Sequence, residues 1–162
     1  MPIHRLSRHT AAGGAAVAAF LSAACTLYWT LGGTALLASL GPTFAKAARE
    51  RSGATIALGI NTIALKAAAG FVALAFAGPR RDRIPHPVRR TVRALGFVLA
   101  AYGAVGVIGA SLGLAGLGND GTADRTGLWG HAPLCDPWFV IWGLLLSEAA
   151  RGPRAATAPA LR

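Results

Sequence analysis

Lys66 is the one charged residue between Gly53 and Gly78, thirteen positions past Gly53 in an otherwise apolar run of 26 residues. A spanning helix of that length holds the ammonium near a bilayer midplane. A charge there costs about 2.5–3.5 kcal/mol on insertion scales and calls for a partner, a wet pocket or an anionic ligand. Thr55, Gly59, Thr62, Lys66 and Gly70 follow one another at spacings of four, three, four and four, which puts them on one small, polar helix stripe facing the bundle interior. Glu148 is the carboxylate available inside a predicted span. It lies twelve residues beyond Asp136, so its depth matches that of Lys66 when both are counted from the same boundary, and a Lys66–Glu148 intramembrane ion pair is expected. A lysine that only locks helix packing, or snorkels toward the surface, accounts for the same residue.

A second set gathers toward the other end of the predicted spans. Tyr28 and Trp29 finish the first, Trp129 and His131 precede the fourth, and Asp136, Trp138 and Trp142 begin it. With Asn61 and Lys66 they make a candidate outward-facing pocket, aromatic-walled, for a lipophilic or anionic small molecule. His131 and Asp136 are also of the right types for acid and base in an intramembrane enzyme acting on a lipid-like substrate. No nucleophile–base pair accompanies them, so no catalytic residue is assigned. An interfacial aromatic belt, with Asp136 as a helix cap, explains the same residues without a ligand. His4, His9, His86 and His131 are scattered, and Cys25 and Cys135 are 110 positions apart, so no metal site, cofactor or disulfide is expected.

Positioning these groups requires a membrane architecture. The chain has 162 residues, 54% hydrophobic and 14% charged, with mean hydropathy +0.50, which leaves too little polar surface for a soluble globule. Four apolar runs predict spans over residues 11–33, 53–77, 92–117 and 137–152 in a single integral membrane domain. The expected fold is all-α, a four-helix transmembrane bundle with short loops. Ser22-Ala23-Ala24-Cys25 approaches a lipoprotein cleavage site, but the apolar stretch continues through Leu27, Tyr28, Trp29 and Leu31. That is longer than the roughly 7–15 residues of a signal's apolar region, so a retained helix is expected. The fourth run is the weak one, since fourteen residues from Pro137 give only about 21 Å, and a re-entrant segment is the alternative.

The net charge of +10 does not predict nucleic acid, because the cations lie in the gaps between apolar runs. Arg5 and Arg8, the six arginines from Arg80 to Arg93, and Arg151, Arg154 and Arg162 define three basic segments. By the positive-inside rule these are cytoplasmic, with both termini inside and the location a cell membrane crossed several times. The linker arginines are expected to meet anionic lipid headgroups, and Pro79, Pro85 and Pro87 to keep that linker out of helix. Gly103, Gly106, Gly109 and Gly113 in the third span let a helix approach closely. Intramolecular packing is the simpler use, and a homo- or hetero-oligomer face the other, which would suit a structural or assembly protein.

Tyr28-Trp29-Thr30-Leu31-Gly32-Gly33, Leu65-Lys66, Ala101-Tyr102-Gly103 and the run Leu134-Cys135-Asp136-Pro137-Trp138-Phe139-Val140-Ile141-Trp142-Gly143, together with Trp129 and His131, resemble a family of small, mainly actinobacterial four-helix membrane proteins that form a domain of unknown function. Thr30 stands where that family usually has alanine, and Cys135 where it usually has tryptophan. The resemblance implies four helices and an intact first helix. It implies no activity and no catalytic residue.

Overall fold

The computed structural model describes residues 7–117, 125–130, 133 and 135–152. Six α-helices follow in order: α1 Arg8–Thr30, α2 Pro42–Glu50, α3 Gly53–Ala77, α4 His86–Leu114, α5 Arg125–Gly130 and α6 Asp136–Ala149, with short 3₁₀ turns at Leu37–Leu40 and Arg81–Arg83. No strand occurs among the described residues. α1, α3 and α4 are each long and apolar enough to cross a membrane, and their outer surfaces carry exposed Leu58, Leu65, Phe71, Val98 and Val105. Such a surface is stable only against lipid or another apolar partner. Four spans were expected, the fourth of them short. α6 has 14 residues, about 21 Å, and is too short to cross alone.

The helix starts follow local chemistry. Ser7 accepts a hydrogen bond from the Thr10 amide (3.0 Å) and Ser52 one from the Thr55 amide (3.2 Å), so a hydroxyl caps both α1 and α3. α4 begins at His86, well before the expected Val92, and takes in Pro87, Arg89 and Arg90. Pro87 does not hold the linker out of helix because a first-turn residue has no intrahelical N–H bond to lose. α2 was expected as loop. Gly41 and Pro42 set its start, and Lys46 and Glu50 pair one turn apart at 3.8 Å.

α1 is the central element, packing on α3 on one side and on α6 on the other, while α6 packs on α4. Small residues allow this. Ala11, Ala12, Ala15, Ala16 and Ala19 are buried on α1, Phe20 sits over Gly70 of α3, and Leu145 of α6 sits over Gly14. The closest approach is between α4 and α6. A Cβ on Gly96 would lie 2.8 Å from the Gly143 carbonyl oxygen, one on Gly103 would lie 2.7 Å from the Val140 amide nitrogen, and one on Gly143 would collide with the backbone of Gly96 and Ala100. Those contacts are backbone to backbone, so no side chain can give way.

Two small-residue helix faces therefore fix the register of the short helix. We predict that Gly143→Val lowers detergent stability by about 1–3 kcal/mol or more, the range for overpacking a tight contact. Gly109→Val, whose Cβ meets open space, should leave the melting temperature nearly unchanged.

Candidate functional site

Lys66 lies thirteen residues from the start of α3 and eleven from its end, or roughly 20 and 16 Å along the axis. Its partly buried ammonium turns toward α1, donating to Thr26 Oγ1 at 2.8 Å and, at 3.4 Å, to the Ser22 carbonyl. Thr26 Oγ1 in turn donates to the Ser22 carbonyl at 3.0 Å. The hydroxyl proton is thus spent within α1 and a hydroxyl lone pair is left to receive the lysine. Both partners are neutral. Among the described residues no disulfide joins Cys25 and Cys135.

The expected Lys66–Glu148 pair does not form. Glu148 pairs instead with Arg151, one turn further along the chain. The reason is register. α6 begins not at the far boundary but beside Gly106 of α4, against which the Asp136 carboxylate packs, and α4 continues eight residues beyond that level to Leu114. Counting twelve residues from Asp136 therefore ends at the arginine-rich end, where Ser147 donates to the Arg93 carbonyl (3.2 Å) and Arg8 donates to the Arg151 carbonyl (3.1 Å). Asp136 is also not the N-cap. It is the first helical residue, 4% exposed, with Cys135 at the cap position.

The candidate aromatic pocket divides into parts with different roles. Tyr28 and Trp29 fasten the turn that follows α1: the Tyr28 hydroxyl accepts from the Ala35 amide (3.2 Å) and the Trp29 indole N–H donates to the Ala35 carbonyl (2.8 Å). Gly33 lies under the Tyr28 ring so closely that no Cβ would fit, and Gly32 has φ +101°, a backbone region that disfavours other residues. The Tyr-Trp-Thr-Leu-Gly-Gly segment is thereby explained as a turn lock. Trp142 is 4% exposed and belongs to the core with the α1 alanines, stacked on Phe139 at 6.1 Å. Trp138 packs against that core. The indole N–H groups of both are buried without a partner among the described residues. Trp129 and Asn61 are exposed, and His131 lies outside the described residues.

Of the glycines considered for an oligomer face, Gly103 and Gly106 are covered by α6 within the same chain, whereas a Cβ on Gly109 would meet open space. A cavity of about 280 Å³ lies at the opposite end from the aromatic set, between α4 and α6 near Arg93 and Arg151. Sequence reasoning missed it because it needs the α4–α6 register. Arg89 is a second surprise. Rather than facing lipid, it is buried, donating to the Ile84 carbonyl (3.2 Å) and the Arg81 carbonyl and lying over the Phe76 ring at 5.7 Å. It organises the turn between α3 and α4.

The chain belongs to the family described as protein of unknown function (DUF3995), whose model matches residues 19–146, from within α1 to within α6. No curated protein and no solved structure matches it. Lys66, Thr26 and the α4–α6 crossing fall inside the matched segment, while Glu148 and Arg151 lie past its end.

The Lys66–Thr26 bond can be isolated by a double-mutant cycle. Thr26→Val leaves an ammonium short of an acceptor and should cost about 1–3 kcal/mol of detergent stability. In a Lys66→Met background the same substitution should cost little, because both polar partners are then gone. Equal costs in the two backgrounds would show that the bond contributes nothing.

Proposed function

We propose that this chain is a non-catalytic integral membrane protein that binds the anionic head of a lipophilic small molecule at Lys66, with its two termini and the arginine linker in the cytosol. One observation carries the reading: a mid-helix ammonium is held by two neutral oxygens, with no carboxylate in ion-pair range among the described residues. A cation inside an apolar layer that lacks a protein counter-charge is most stable when a bound anion supplies it. Thr26 and Ser22 orient the amine and leave its third N–H for the ligand. The exposed side chains of Cys25 and Leu65 leave the approach open from the lipid side, so an amphiphile can enter sideways with its chain in the hydrocarbon. An enzymatic reading draws less support, because the Asp136 carboxylate is buried and packed against Gly106.

Binding of a long-chain carboxylate and of its chain-matched alcohol to the purified protein tests this. The carboxylate should bind at least about tenfold more weakly to Lys66→Met than to the wild type or Lys66→Arg, the loss expected for one charge-assisted contact. The alcohol should not distinguish them. Melting curves establish that each variant is folded. Equal carboxylate affinity for folded Lys66→Met and wild type would remove the proposal.

A further inference from the structure

The cleft between α4 and α6 combines a charged mouth with an apolar wall. Arg93 reaches it from α4 and Arg151 from just past the end of α6, with Glu148 and Ser147 between them and Phe97, Leu144 and Leu145 along its length. Arg93 is solvent-exposed and its guanidinium lies over the Phe97 ring, 5.5 Å from the centroid. Among the described residues no carboxylate pairs with it. Arg151 is paired with Glu148. Two lining guanidiniums against one lining carboxylate leave the mouth positive, and Arg8, which donates to the Arg151 carbonyl, adds to that charge. The apolar wall does not close: Phe97 is 50% exposed, Leu144 53% and Ile141, one turn further up α6, 55%. The groove thus runs from paired cations onto a lipid-facing strip.

We propose that this cleft is a binding site for one anionic glycerophospholipid of the leaflet at the arginine-rich end. Its phosphodiester sits between Arg93 and Arg151, and an acyl chain lies along Phe97, Leu144 and Ile141. The sign of the charge matches, since a phosphodiester anion offsets positive charge that Glu148 leaves uncompensated. The geometry matches too, because guanidinium forks suit phosphate oxygens and a basic cluster at a span's end is where anionic headgroups lie. Glu148 has two roles. It holds Arg151 in place, and it disfavours more highly charged headgroups by repulsion. Ser147, bonded to the Arg93 carbonyl, ties the two walls together, so the site depends on the α4–α6 register and not on Lys66. This proposal shares the membrane setting of the Lys66 reading but uses a different site, so each stands if the other fails.

Native mass spectrometry and thermal shift of the detergent-purified full chain, with short-chain phosphatidylglycerol as probe and phosphatidylcholine of the same chains as comparison, test it. Phosphatidylglycerol should bind with one-to-one stoichiometry and raise the melting temperature, while phosphatidylcholine should bind about tenfold more weakly. Arg93→Gln should abolish that difference, Arg93→Lys should keep part of it, and Glu148→Gln should tighten binding. Arg90→Gln removes the same charge from an exposed site on α4 outside the cleft and should change nothing. Equal losses in Arg93→Gln and Arg90→Gln would overturn the proposal in favour of unspecific attraction. Competition by millimolar inorganic phosphate that equals the lipid's own effect would overturn it in favour of a free-anion site.

Discussion

Backbone-to-backbone contact between α4 and α6 sets the depth of nearly everything else in the molecule. Gly96, Ala100 and Gly103 on one helix and Gly143 on the other bring the axes so close that a single Cβ would collide with main chain. Between apolar surfaces in lipid there is little hydrophobic drive, so dense packing of this kind is what joins helices. α6 is short and cannot be fixed by matching both membrane boundaries. Its position is given by the glycine seam and by α1, whose alanines and Gly14 receive it from the other side. From that register follow the pairing of Glu148 with Arg151, the burial of Asp136 beside Gly106, and the cleft near Arg93.

What could be read from the sequence divides along the same line. The apolar runs, the serine caps and the proline starts are local signals, and α1 and α3 appear close to where those signals place them. The small polar stripe around Lys66 also turns inward, because a four-and-three spacing is a property of one helix alone. Depth between helices is not local. Counting from Asp136 assumed that α6 starts at the membrane boundary, and the assumption fails since its first turn lies eight residues below the end of α4. Thr26 and Ser22 as partners of Lys66 were likewise hidden, as nothing in α3 says which face of α1 it meets. The small helix α2 was missed, although Gly41-Pro42 and the Lys46–Glu50 spacing are local helix signals. Its shortness made it resemble a loop.

The arginine-rich end shows that cations counted as topology signals also have structural uses. Arg8 donates to a carbonyl just past α6, His9 Nδ1 lies 3.0 Å from the last carbonyl of α3, and Arg89 closes the turn before α4. Helix C-termini leave carbonyls without partners and carry partial negative charge, so donors and cations from a neighbouring antiparallel helix satisfy both needs. Arg93 differs, its guanidinium lying over the Phe97 ring with no carboxylate paired to it among the described residues. Lys66 is its counterpart mid-span, a cation held by neutral oxygens. The two proposed anion sites of this chain thus differ in chemistry, one a mid-span ammonium and the other an arginine cleft at the helix ends.

The register of α6 is the claim on which both places rest, and a cysteine cross-link measures it directly. In a background with Cys25→Ser and Cys135→Ser, the pair Tyr102→Cys and Phe139→Cys, at positions whose rings touch across α4 and α6 with centroids 5.5 Å apart, should be joined by a short bismaleimide, while Tyr102→Cys with Ser147→Cys should not. Cross-linking of the second pair in place of the first would mean that α6 starts at the far boundary after all, returning Glu148 toward the level of Lys66 and contradicting the account.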